Sequence, residues 1–176
     1  MQGYARHLTQ SALFIALGIL IPILFHAVGM GPVFLPMFLP IVVSSFFLPV
    51  VYAGCVGIIT PALSALMTGM PPPPIVYKMI LELLILATLT GILYRKTRWG
   101  SFWIVFFSLL ITESVALLLT AAIAPLLGLP PRLYSVLSLL RQIPGILLIL
   151  FLIPLLIKNV KRIPVFSLRK EYVMEA

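Results

Sequence analysis

Ile75-Val76-Tyr77-Lys78-Met79-Ile80-Leu81-Glu82-Leu83-Leu84-Ile85-Leu86-Ala87-Thr88-Leu89-Thr90-Gly91-Ile92-Leu93-Tyr94 is an apolar run broken by only two charges, Lys78 and Glu82. About 20 such residues in a helix cross the hydrocarbon core of a bilayer. A charge inside such a span costs roughly 2.5–3.5 kcal/mol on insertion scales, so it faces a cavity or a partner rather than lipid. Lys78 and Glu82 are four residues apart and share one helix face. This one stretch therefore predicts both a membrane fold and a buried polar site.

The sequence on either side agrees. The chain has 176 residues, 62% hydrophobic and 9% charged, with a mean hydropathy of +1.21. A soluble domain of this size cannot hide so much apolar surface, so lipid must be its solvent. Apolar runs predict helices over 9–27, 34–47, 50–67, 75–94, 101–126 and 133–157. The second is short, with Pro36 and Pro40 near its start. Pro71, Pro72, Pro73 and Pro74 predict an extended, stiff segment between the third and fourth helices. The fold class is an all-α integral membrane protein, a bundle of six transmembrane helices forming a single domain over 1–176. The first run follows Arg6 and His7 and imitates a signal peptide. It leads straight into further spans, so it reads as a retained first helix.

The net charge of +8 could suggest nucleic acid. Its distribution points to membrane orientation instead, with no nucleic-acid partner. Of the 12 Lys and Arg, all but Lys78, Arg132 and Arg141 fall on one side of a six-span chain. That side, with both termini, is cytoplasmic by the positive-inside rule. Glycine- and proline-rich connections after the first, third and fifth helices lie on the outer side, where they resemble lids or form ordinary tight turns. The lone Cys55 sits in an apolar run and offers neither a disulfide nor a metal cluster.

Helical rise places Glu82 about 10 Å below the outer end of its helix, with Arg141 at similar depth and Glu113 nearer the middle. Three helices thus bring charges to the outer and central bundle. Three readings follow: an ion-pair network joining helices, a polar ligand pocket under the outer connections, or a proton or ion path through the two carboxylates. Tyr77, Gln142 and His26 are the neighbours that complete a pocket. No metal-ligand cluster, nucleophile elbow, phosphate loop or dinucleotide fingerprint is present. The sequence accordingly predicts no enzyme, no metal and no cofactor.

Ala12 and Ala16, Phe34-Leu35-Pro36-Met37-Phe38-Leu39-Pro40, Pro61-Ala62-Leu63-Ser64-Ala65-Leu66-Met67-Thr68-Gly69-Met70-Pro71-Pro72, then Met79 and Glu82-Leu83 form an ordered pattern along most of the chain. In order and spacing it resembles the substrate-binding S components of energy-coupling factor (ECF) vitamin transporters. The resemblance implies a multi-pass protein of the bacterial cytoplasmic membrane, with the lipid bilayer as its surroundings. It implies capture of a small-molecule vitamin in the outer half of the bundle and association with a transmembrane T component and two ATPase subunits. The helix 1 alanine motif of that family contacts the T component, a docking role that falls here on Ala12 and Ala16. Arg141 and Lys78 suit a carboxylate, and Glu82 suits hydroxyl or amide hydrogens, so pantothenate is the first choice of substrate. Cobalamin, a queuosine precursor and riboflavin stay open. So does a stand-alone proton-coupled carrier using Glu82 and Glu113.

Overall fold

The computed structural model describes residues 2–27, 29, 34–73, 75–123 and 136–160; within these, side chains are not described at 2, 3, 136–139, 141 and 160. The chain forms α1 (Gln2–Ala27), α2 (Phe38–Phe47), α3 (Val50–Thr68), α4 (Ile75–Lys96), α5 (Ser101–Ile123) and α6 (Val136–Val160). There is no strand among the described residues. Five helices are long and apolar enough to cross a membrane. The protein is a multi-pass helical membrane protein in architecture. Leu8, Leu13, Leu20, Leu24, Leu110, Leu118, Phe151 and Leu155 are exposed on its outside. In water such a surface would be a liability; against lipid tails it is a solvated face.

The sixth expected span is different. α2 has 10 residues and is about 15 Å long, half the hydrocarbon thickness. The expected helix from residue 34 does not run through to Phe47 because Pro36 interrupts it. Leu35 takes φ 49°, in the left-handed region where a leucine cannot continue a right-handed helix. The Phe38 N–H then bonds back to the Leu35 carbonyl at 3.0 Å, turning the chain into α2.

Nine of the ten α2 residues are buried. The helix packs against α1, α3, α4 and α6, while α1–α3, α3–α4, α4–α5 and α5–α6 are neighbours around it. α2 is therefore the hub of the bundle. Ser44 and Ser45 satisfy their hydroxyls by donating to the Ile41 carbonyl. Its C-terminal end, at Leu48-Pro49, is held by Arg95 from α4. The guanidinium donates to the Leu48 carbonyl and, at 2.6 Å, to that of Gly91. A cation suits the unsatisfied carbonyls of a helix C-terminus.

α3 and α4 lie unusually close. A Cβ at Gly57 would stand 2.6 Å from the Leu83 carbonyl oxygen, so only glycine permits this approach. The stiff, extended linker expected between them is instead a capped turn. Gly69 takes φ 70°, and its N–H bonds to the Ala65 carbonyl at 2.9 Å. The Ser64 hydroxyl donates to the Met70 carbonyl at 2.8 Å, and the Pro72 carbonyl accepts from Ile75 and Val76 at the start of α4. Helix ends with unsatisfied groups recruit these partners, and that need overrides the polyproline preference. Of the two readings of this connection, lid or tight turn, the geometry is that of a tight turn. Pro74, residues 28 and 30–33 between α1 and α2, and residues 124–135 between α5 and α6 lie outside the described residues.

Candidate functional site: a buried acid–base cluster between α4 and α5

Most hydroxyls in this bundle satisfy themselves locally. Thr60 donates to the Val56 carbonyl, Thr88 to Leu84, Thr97 to Leu93 and Ser114 to Leu110, each one turn back. Such bonding keeps a polar side chain tolerable in an apolar interior. Four buried side chains do not satisfy themselves in this way. Glu113, Thr112 and Ser108 on α5, with Thr90 on α4, are buried and have no hydrogen-bond partner for their side-chain oxygens among the described residues.

Glu82 is 2% exposed and is ion-paired with Lys78 one turn before it on α4. Lys78 is partly exposed, so the pair runs from the interior towards the α4 start. Glu113 is 8% exposed, and neither of its carboxylate oxygens has a partner among the described residues. It lies within electrostatic reach of Glu82 and Lys78 across the α4–α5 contact. The described part of the cluster thus holds one cation and two carboxylates. An unpaired carboxylate in a low-dielectric interior costs several kcal/mol. A proton, a cation or a ligand that donates hydrogen bonds offsets that cost, and Glu113 is the side chain poised to receive it.

No family model, curated protein or solved structure matches the chain. The functional reading rests on this geometry and on the sequence pattern.

The other sequence candidates divide. Tyr77 is 69% exposed and turned outward, so it does not join Lys78 and Glu82. His26 is exposed at the end of α1, where its carbonyl accepts the Gly29 N–H at 3.0 Å. Gln142 is half-buried on α6, which packs against α5. The backbone of Arg141 is helical in α6, and its side chain lies outside the described residues. Ala12 and Ala16 are both exposed on one face of α1, flanked by exposed Leu8, Leu13 and Leu20. Sequence reasoning missed Ser108, Thr112 and Thr90. Thr90 lies eight residues, about 12 Å, along α4 from Glu82, and Ser108 and Thr112 are one turn apart on α5. Among the described residues no group of three or more His, Cys, Asp or Glu could hold a metal ion.

Proposed function

We propose that this protein is the substrate-binding S component of an ECF-type transporter, taking up a small acidic micronutrient, with pantothenate as the first candidate. The observation that carries the reading is Glu113, a buried carboxylate with no partner among the described residues, beside the Lys78–Glu82 pair in a membrane bundle. A ligand with hydroxyl and amide hydrogens satisfies Glu113, while Arg141 supplies the fork that a ligand carboxylate prefers. Lys78, already paired with Glu82, then orients that carboxylate rather than binding the ligand alone. Bundles hold ligands between helices where a few polar groups converge in an apolar wall.

In this reading both termini and the basic segment Arg95–Arg98, from the last turn of α4 into the following connection, are cytoplasmic, in the bacterial cytoplasmic membrane. α2 completes the sixth crossing together with residues before it. The exposed Ala12 and Ala16 face is the docking surface for a T component, which two ATPase subunits drive. Small residues allow such close helix approach.

A second reading draws on the same carboxylate: a stand-alone carrier in which Glu113 takes up and releases a proton. Native mass spectrometry of the purified protein, followed by identification of any released small molecule, tests the first reading. A co-purified vitamin-like acid supports it. Uptake by the protein alone in proteoliposomes, dependent on an imposed proton gradient, would favour the carrier.

A further inference from the structure

The two tryptophans of the chain, Trp99 and Trp103, stand together at one end of the α4–α5 pair. Trp99 belongs to the connection between the helices, yet its ring folds back along α5 and packs on Phe107, 5.2 Å between centroids. Trp103, in the first turn of α5, stacks on the same ring at 6.1 Å and meets Phe106 edge-on. Phe107 lies about 9 Å along α5 from its start. Both indoles are therefore held against the side of the helix, on the bundle side of the connection. They remain 50% and 53% exposed.

The basic residues beside them divide by direction. Arg95 turns inward, to the Leu48 and Gly91 carbonyls. Lys96, the last residue of α4, and Arg98, next to Trp99, are exposed. The described carboxylates, Glu82 and Glu113, are buried, so no acid pairs with Lys96 or Arg98 among the described residues. Tyr77 marks a second level. It is exposed near the opposite end of α4 and has no part in the buried cluster. From Tyr77 to Lys96 the helix rises about 28 Å, close to the ~30 Å of a hydrocarbon core. Tyrosine and tryptophan concentrate at the two membrane–water interfaces. α4 thus has an interfacial ring near each end, one core thickness apart, and its tryptophan end carries the uncompensated positive charge.

We propose that the α4–α5 corner is a headgroup site for an anionic phospholipid, with Lys96 and Arg98 on the charged headgroup and the two indoles seated just below it. An indole suits that level because its ring is apolar and its N–H is polar. The exposed basic pair selects a net negative headgroup over a zwitterionic one, since each basic group near the surface favours anionic lipid. The site needs only the membrane fold. It is independent of the cluster between α4 and α5 and of what that cluster binds.

With only these two tryptophans in the chain, tryptophan fluorescence reports on this corner alone. The test reconstitutes the full chain in equal mixtures of phosphatidylglycerol and phosphatidylcholine, one of which carries bromine, a contact quencher, on its acyl chains. Quenching should show an about fivefold preference for phosphatidylglycerol at the corner. Bromine high on the chains, near the headgroup, should quench more than bromine near the chain ends. Lys96→Gln with Arg98→Gln should remove the preference and keep the depth profile. Its melting temperature should match the wild type, since both side chains are exposed and pair with no described acid. Equal quenching by the two lipids in the wild type would overturn the headgroup site, and so would a preference that survives in the charge variant. Stronger quenching by the deeper bromine would overturn the interfacial seat of the indoles. Quenching by neither lipid would mean that protein, such as a second copy of this chain, covers the corner, and would overturn the proposal as well.

Discussion

Gly57→Ala is the sharpest probe of how the α4 carboxylate is positioned. The new Cβ would stand 2.6 Å from the Leu83 carbonyl oxygen and 2.9 Å from its carbon. Ordinary contacts begin near 3.4 Å, so α3 and α4 must part by about 0.8 Å. The obstacle is backbone, which cannot rotate away as a side chain can. Overpacking of this kind costs ~1–3 kcal/mol, and alanine regains up to about 1 kcal/mol in helix propensity. The net loss is about 1–2 kcal/mol, or roughly 3–6 °C in melting temperature for a chain of this size. Leu83 adjoins Glu82, so the same shift displaces the buried carboxylate. Gly54→Ala meets the Thr88 methyl at 3.0 Å and the Leu84 side chain at 3.4 Å, a milder approach that a shift of a few tenths of an ångström relieves. Gly100→Ala meets nothing within 4 Å. Melting curves in detergent should rank Gly57→Ala clearly lowest, with the other two near wild type. Equal melting of all three would mean that α3 and α4 do not approach as described.

The Lys78–Glu82 pair predicts a thermodynamic cycle: Lys78→Met leaves the Glu82 carboxylate buried and should cost about 3–5 kcal/mol, Glu82→Met leaves a partly exposed ammonium and should cost less, and the double variant recovers most of the larger loss. Additive losses in apo melting curves would show that the pair does not form. Ala12→Trp with Ala16→Trp should abolish uptake in cells and leave ligand binding by the purified protein intact, because the bulk falls on an exposed face; normal uptake would remove α1 as a docking surface. Topology is tested with Arg98→Cys in a Cys55→Ala background, since Cys55 is itself exposed. An impermeant thiol reagent should fail to label it in intact cells, and ready labelling would reverse the orientation.

The long helices are legible in the sequence because an apolar run of membrane length has few other solutions. The extent of α1 is less so: its first turns, from Gln2, carry Arg6, His7 and Gln10, and hydropathy does not register a helix there. α2 reads as a short span, yet its length depends on what Leu35 does before Pro36, a backbone choice made by local sterics. The proline run after α3 misleads because capping of two helix ends outweighs the intrinsic preference of Pro72. At the site, Lys78, Glu82 and Glu113 announce themselves as charges in apolar runs. The outward turn of Tyr77 is also legible, since five residues from Glu82 is about 140° around a helix. What pattern cannot give is which hydroxyls bond to their own helix. Thr88 and Thr90 are two residues apart with the same chemistry, and only packing distinguishes the satisfied one from the orphan.

Equilibrium titration of pantothenate into the purified wild type and Glu113→Gln proteins bears most directly on the proposed role of the buried cluster. One saturable site is predicted in the wild type. In Glu113→Gln the affinity should fall about 10- to 100-fold, the loss of a charge-assisted hydrogen bond worth ~1.5–3 kcal/mol, with apo stability unchanged or raised because an unpaired buried charge is gone. Affinity that is the same in both proteins, together with a lowered apo melting temperature in Glu113→Gln, would contradict a ligand-binding role and make the carboxylate part of the scaffold.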